Sequence, residues 1–386
     1  VCSNLPKIER FEHIQDIPAQ DWDSCVGADE PFARHAFLSS LEESTCVHPQ
    51  NGWLPQHLVL RGEDGSIRGC APLYLKSHSY GEYVFDWSWA DAYERAGGRY
   101  YPKLLSAIPF TPVSGHRLLM HHDANVTERQ QILAHMSEHA QERGVSSLHI
   151  NFARKAEWQD MQAQGMLGRV GHQYHWINHD YCDFDDFLSR LSSRKRKSIR
   201  KERKSITQSD IQIRVLSGSD IEEQHWDAFY DFYMDTSGRK WGHPYLNRDF
   251  FGLLGQNMAN AVVMVLAVQG ERVVAGALNL KGHETLYGRY WGCLEDYRFL
   301  HFEACYYQAI DYAIAHQLKR VEAGAQGQHK IQRGYLPVET YSAHWLRDDG
   351  FKRAVQDFLD HDKQVNALEM RELAKLSPYK NDSSAQ

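Results

Sequence analysis

Apolar residues at Phe302, Cys305, Tyr306, Ala309, Ile310, Ala313 and Ile314 recur three and four apart, which predicts one face of a helix, with Glu303, Gln308 and Asp311 opposite. Residues 285–291 before it are rich in aromatic and β-favouring types and are closed by Gly292, so strand, loop and helix N-terminus follow in order. The longest apolar run, 261–268, reads as a buried strand, and 262–268 with 272–280 forms a hairpin around Gly270. A similar hairpin is predicted at 56–61 and 66–75, turning on Asp64-Gly65. Upstream, 7–14 predicts a strand, and helical segments follow around 21–26 and 31–43, the second with Pro31 in its first turn. A helix at 128–143 ends at Gly144 and delivers the strand 147–152, whose counterpart in the second half is 318–323. A helix starting near Tyr100 is expected to be cut short by Pro109 and Pro112.

The similarity of the two halves extends to particular residues. Ile17, Gln20, Trp22 and Asp23 spell I-x-x-Q-x-W-D, and so do Ile221, Gln224, Trp226 and Asp227. Lys76 and His78 recur as Lys281 and His283, Glu82 and Trp89 as Glu284 and Trp291, and His175-Trp176 as His344-Trp345. Matches in one order at nearly one spacing indicate duplication, with an insertion in the first half at 106–131. Two domains are therefore expected, 1–180 and 181–386, the second preceded by a basic helix at about 184–206. Each is α+β with a mixed central sheet, reading strand, helices, hairpin, strand, helix, strand, helix, strand.

Composition places the chain among soluble globular proteins: of its 386 residues 42% are hydrophobic and 24% charged, with no run long enough to span a membrane. The first residues lack the basic and apolar regions of a leader, and the seven cysteines stand singly, so reduced thiols in the cytoplasm are expected. The net charge of −7 argues against a surface that binds nucleic acid all over. Against that background Arg194, Lys195, Arg196, Lys197, Arg200, Lys201, Arg203 and Lys204 form one dense basic run. It reads as a solvated helical face, as a phosphate or RNA-backbone contact, or as a nuclear address.

The order of elements resembles the GNAT acyltransferase fold, which implies two tandem GNAT-like domains joined by the basic segment. Acetyl-CoA-using members carry Q/R-x-x-G-x-G/A, whose amides hold the pyrophosphate. Here Arg298 is followed by His301 and Glu303 in place of the glycines, and Arg95 of the first half keeps only Gly98. A carboxylate there repels a pyrophosphate, so coenzyme A is disfavoured as the donor. The strings DWSWAD at 86–91, PFTPV at 109–113, SRKRKSIRKER at 193–203, GRYWGC at 288–293, LHFE at 300–303, GAQGQHK at 324–330 and RGY at 333–335 resemble FemAB-like proteins, the peptidoglycan biosynthesis/recognition group, over nearly the whole chain. That resemblance implies transfer of an aminoacyl group from aminoacyl-tRNA, or of another activated acyl group, to an amine such as that of a peptidoglycan precursor. It also implies substrate contacts at Asp86, Trp89, Arg289, Trp291 and Tyr335.

In chemical terms, the glycines Gly324 and Gly327 let backbone amides face an anion, with Gln326, His329, Lys330 and Arg333 beside them. Glu303 and His301 are the candidates for proton handling, although Glu303 also suits the dipole of a helix N-terminus. His344, recurring with its Trp, reads as a packing residue. No H-E-x-x-H, G-x-S-x-G or Walker sequence is present, and His121-His122-Asp123 has no second cluster, so neither a metal nor a tightly bound cofactor is expected. Three other readings stay open: an acyl-CoA-dependent N-acyltransferase, a non-catalytic protein recognising a cell-wall fragment or nucleotide-linked sugar, and an RNA-binding module.

Overall fold

Strands and helices alternate through a computed structural model, which describes residues 7–241, 244–325 and 327–380. The chain divides into two units, Val1–Gly171 with Glu339–Ala367 and His172–Val338 with Leu368–Gln386. A single cut near residue 180 was expected. The division is discontinuous because the late strand Leu336–Leu346 pairs antiparallel with Ser147–Ala153, His344 opposite His149, and so completes the first unit's sheet.

In the first unit, Lys7–Phe11, His57–Arg61, Ile67–Ala71 and Leu119–Met120 form a four-stranded antiparallel sheet. The Asp64-Gly65 turn joins its central pair as predicted, with Gly65 at φ 82°. A second set runs Trp53–Pro55, Tyr74–Lys76, Lys103–Ser106 and Ser147–Ala153 before meeting residues 341–346. Its Lys103–Ser106 and Ser147–Ala153 pair is parallel, so the sheet is mixed. The helix Val126–Glu142 begins with a capping box between Asn125 and Glu128 and buries Ile132, Leu133, Met136 and Ala140 against Leu58, Leu60, Leu148 and Ile150. No helix starts near Tyr100. The helix lies earlier, at Trp87–Arg95, and Lys103–Ser106 is a buried strand whose apolar pair Leu104 and Leu105 is the signal the prolines obscured. The segment expected as one helix at 31–43 is a 3-10 turn, Pro31–Ala33, followed by the helix His35–Glu43.

In the second unit Ile211–Ser217, Val262–Gln269, Arg272–Lys281 and Thr285–Cys293 form an antiparallel meander. Thr285–Cys293 then pairs in parallel with Arg320–Glu322, which pairs antiparallel with residues 175–177. Between the two parallel strands the chain crosses through the predicted helix, whose apolar face buries Tyr306, Ala309, Ile310, Ala313 and Ile314 with Trp176, Leu286 and Val321. That helix is not uniform: after Leu300–Phe302 comes a π turn, Glu303–Tyr307, and then Gln308–Ala315.

Both copies of the I-x-x-Q-x-W-D motif do similar local work. Trp22 and Trp226 are buried, and Asp23 and Asp227 tie down the start of the following helix, Asp23 by accepting from the His35 amide at 2.8 Å and Asp227 by pairing with Arg248 at 2.8 Å. Among the described residues no helix is long and apolar enough to cross a membrane.

Candidate functional site

The polar centre of the second unit is built around the π turn. One extra residue per turn places side chains five apart above one another, and Gln308 Nε2 accordingly donates to Glu303 Oε1 at 2.7 Å. The same oxygen accepts from Arg203 Nη2 at 3.0 Å, and Arg203 also reaches Asp311 Oδ2 at 2.6 Å. Glu303 is only 4% exposed, and its second oxygen, Oε2, is buried with no hydrogen-bond partner. Burial pushes the Glu303 carboxyl above its ordinary range, and the adjacent Arg203 only partly opposes this. Asp311 is shifted the same way by burial, with Arg203 again opposing. The helix enters through Phe299, a non-glycine residue in the left-handed region at φ 68°.

His301, two residues before Glu303, lies among aromatic rings, 5.4 Å from Trp291, 5.3 Å from Tyr306 and 5.8 Å from His329, centroid to centroid. The Tyr306 hydroxyl and His329 Nε2 share a 2.9 Å hydrogen bond, and the Tyr335 hydroxyl donates to the Tyr306 carbonyl at 3.1 Å. Arg333 lies with its guanidinium carbon 3.4 Å from the centre of the Phe302 ring, donates to Glu202 Oε2 at 2.9 Å and to the His329 carbonyl at 2.8 Å, and leaves its buried Nε without a partner. The Tyr307 hydroxyl donates to the same Glu202 oxygen.

In the glycine loop, Gly324 and Gly327 have φ 75° and 104°, and a Cβ on Gly327 would meet the His329 ring at 2.4 Å, so glycine is required there. Gln326 lies outside the described residues. Lys330 donates to the carbonyls of Ala323 and Gly324, so in this structure the loop turns carbonyls toward the cation that was expected to face an anion. Burial lowers the Lys330 ammonium to about 8. Arg289 lies on the strand Thr285–Cys293 with its guanidinium 5.3 Å from the Tyr290 ring.

The basic run forms the helix Ser193–Thr207 and has two distinct sides. Arg194, Lys197, Lys201 and Lys204 are exposed at helical spacing, and Arg200 is exposed but pairs with Asp185 at 2.7 Å. Lys195 donates to Gln332, Arg196 to the Leu191 carbonyl, and Arg203 turns inward to Glu303 and Asp311. Arg203, read from the sequence as one of the phosphate contacts, therefore serves the carboxylates. A run of like residues gives no sign of which member turns in; only the burial of Ile199 and Ile206 beside it marks the packed side.

Asp86 and Trp89 belong to the first unit. Asp86 Oδ2 accepts from Lys103 at 2.5 Å and from the Tyr100 hydroxyl at 2.6 Å, and Trp89 meets His344 edge-on at 4.9 Å. His344 is fully buried, and its Nδ1 lies 2.7 Å from His149 Nδ1, so one neutral imidazole donates to the other. His121, His122 and Asp123 bring one ligand atom each within 4.8 Å of one another.

The chain thus presents two mixed α+β units, the second with a buried acid at its strand-to-helix crossover. The chain belongs to the FemAB-like family of peptidoglycan biosynthesis/recognition proteins, whose model matches residues 13–381. Its fold is similar to that of FemX, with a TM-score of 0.55 and 13% identity over 90% of this chain and 100% of that one. It is also similar to the C-terminal domain of a putative lysylphosphatidylglycerol synthetase from Agrobacterium fabrum, with a TM-score of 0.54 and 7% identity over 88% and 96% of the two chains. A conserved protein from Bacteroides thetaiotaomicron gives a TM-score of 0.51 and 12% identity, over 88% and 100%. No curated protein matches the sequence significantly.

Proposed function

We propose that the second unit is an N-acyltransferase centre in which Glu303 removes the proton from an attacking amine. The observation that carries this reading is the unpartnered, buried Glu303 Oε2 beside an oxygen already held by Arg203 and Gln308. A carboxylate fixed through one oxygen and bare at the other is a positioned base, and a raised pKa brings its basicity toward that of the amine it serves. The amine nitrogen bonds to the acyl carbon, the ester C–O bond breaks, and the proton taken by Glu303 passes to the leaving oxygen, directly or through His301.

The donor in this reading is an aminoacyl-tRNA or another activated ester, and the acceptor a primary amine of a peptidoglycan precursor or related metabolite. The exposed side of the basic helix, Arg194, Lys197, Lys201 and Lys204, supplies phosphate contacts for such a donor. Coenzyme A is disfavoured because His301 and Glu303 stand where bare glycine amides would be needed, and Glu303 is buried and paired. No resident cofactor or metal is called for, and the cytoplasm is the compartment in which this donor and acceptor meet.

The test is direct binding of charged tRNA, uncharged tRNA and acetyl-CoA at two salt concentrations, repeated with Arg194, Lys197, Lys201 and Lys204 all changed to Gln. Tighter binding of charged tRNA, weakened in the variant and with a shallower salt dependence, supports the reading. Tight acetyl-CoA binding without tRNA binding replaces it with the CoA-dependent alternative.

A further inference from the structure

The first unit holds a buried charged cluster that the proposed acyl transfer does not use. Lys76 and Lys103 stand directly opposite each other on the paired strands Tyr74–Lys76 and Lys103–Ser106, and both are fully buried. Like charges facing across a ladder repel, and the two lysines are provided for very unequally. Lys103 Nζ donates to Ser79 Oγ at 2.7 Å, Glu82 Oε2 at 2.8 Å and Asp86 Oδ2 at 2.5 Å, which uses all three of its protons. Lys76 Nζ lies 3.4 Å from the Tyr80 carbonyl, 3.5 Å from His78 Nδ1 and 3.5 Å from the centre of the Trp53 ring. Its nearest carboxylate oxygen, Glu82 Oε1, is 4.0 Å away and has no hydrogen-bond partner. Next to this pair the chain from 77 to 87 turns through Gly81 and Tyr83, both at positive φ, and carries Tyr80, Phe85 and Trp87 as exposed rings, Tyr80 and Trp87 4.8 Å apart.

We propose that Lys76 is a nucleophilic amine of the first unit that condenses with the carbonyl carbon of an aldehyde or ketone, with Glu82 carrying the protons. An amine desolvated beside another cation is the recognised way to obtain a neutral lysine at neutral pH. Burial, together with the positive charge of Lys103, brings Lys76 down to about 6, with Glu82 and Asp86 opposing. The Trp53 face favours the ammonium form and so opposes the burial. Burial raises Glu82 to about 7, so both its acid and its base forms are populated where Lys76 is neutral. His78 is itself lowered by burial and by the charge of Lys76.

The step balances without a redox partner. The Lys76 nitrogen bonds to the carbonyl carbon, and the carbonyl oxygen leaves as water with the two amine protons, one of them relayed by the Glu82 carboxyl. The product is an imine, and the exposed rings of Tyr80, Phe85 and Trp87 suit a carbonyl compound with a planar or apolar body.

The experiment treats the full chain briefly with formaldehyde and sodium cyanoborohydride from pH 5 to 9 and maps methylated lysines by peptide mass spectrometry. Lys7 and Lys375 serve as references, since their side chains are 76% and 68% exposed. At pH 7 Lys76 is expected to react at least about 10-fold faster than either, its rate falling below pH ~6, because an ordinary lysine is almost wholly protonated there. In Glu82→Gln the pH midpoint for Lys76 moves down, since a charge that favours its ammonium form is removed. Reaction of Lys7 and Lys375 ahead of Lys76, or of Lys76 only after unfolding, overturns the proposal, and an unchanged midpoint in Glu82→Gln removes Glu82 from the step.

Discussion

Replacing Glu303 by Gln keeps the shape of the side chain and an acceptor oxygen for Arg203, yet removes the base. Turnover in an acyl-transfer assay is expected to fall about 10²- to 10⁴-fold with the thermal midpoint nearly unchanged. Arg203 acts on Glu303 by charge, so its loss raises the Glu303 pKa further. In Arg203→Gln the acidic limb of the kcat/KM profile therefore moves to higher pH, an effect that a purely structural role for Arg203 would not produce. In the first unit the sign is set by groups buried as neutral species. Burial lowers His149 to about 3 and His344 well below its ordinary value. Unfolded imidazoles take up protons through pH ~6.5 while the folded ones do not, so this stabilisation is present above pH ~6.5 and is lost as pH falls toward 3. Glu82, raised to about 7, and Glu157, also raised by burial, work the other way above pH ~4.3, but against them stand three imidazoles, since burial and Arg10 lower His139 to about 4 as well. Chemical denaturation of the chain at pH 7 and pH 5 should show lower stability at pH 5.

At the scale of elements, close approach decides as much as charge. The strand Thr285–Cys293 passes so near the helix Glu223–Trp241 that a Cβ on Gly292 would lie 2.3 Å from the Phe232 carbonyl oxygen. Gly292→Ala is expected to cost about 1–3 kcal/mol, as overpacking does, measurable by denaturant unfolding. The sequence marks Gly292 only as the end of a strand; that a backbone lies against it follows from tertiary packing. The apolar spacing from Phe302 to Ile314 does predict the buried helix face, because burial follows the same residues through the π turn. The turn itself is hidden, since three- and four-residue spacing cannot register a contact between positions 303 and 308. In the same way, Lys76 stands out in the sequence as half of a repeated Lys-x-His, yet nothing there places Lys103 opposite it. That pairing is a matter of strand register.

For the whole molecule, the repeats make the fold class legible, because Trp22 and Trp226 are each followed by an Asp that anchors the next helix. The division into units is less legible, because the strand Leu336–Leu346 follows the second repeat in sequence yet lies beside Ser147–Ala153. A fragment ending at residue 180 lacks this strand, and far-ultraviolet circular dichroism with limited proteolysis should find it unfolded. A chain in which residues 339–367 are linked after residue 171 should recover a cooperative transition. The same arrangement bears on biosynthesis. While the ribosome is still making the second half, Ser147–Ala153, buried along its whole length in the finished fold, remains an uncovered sheet edge, and it stays so until Leu346 has emerged. The first unit thus cannot finish folding until residues 341–346 of the second half have been made. The nascent protein has to be shielded from association while the intervening residues, from Ala153 to Leu346, are being made.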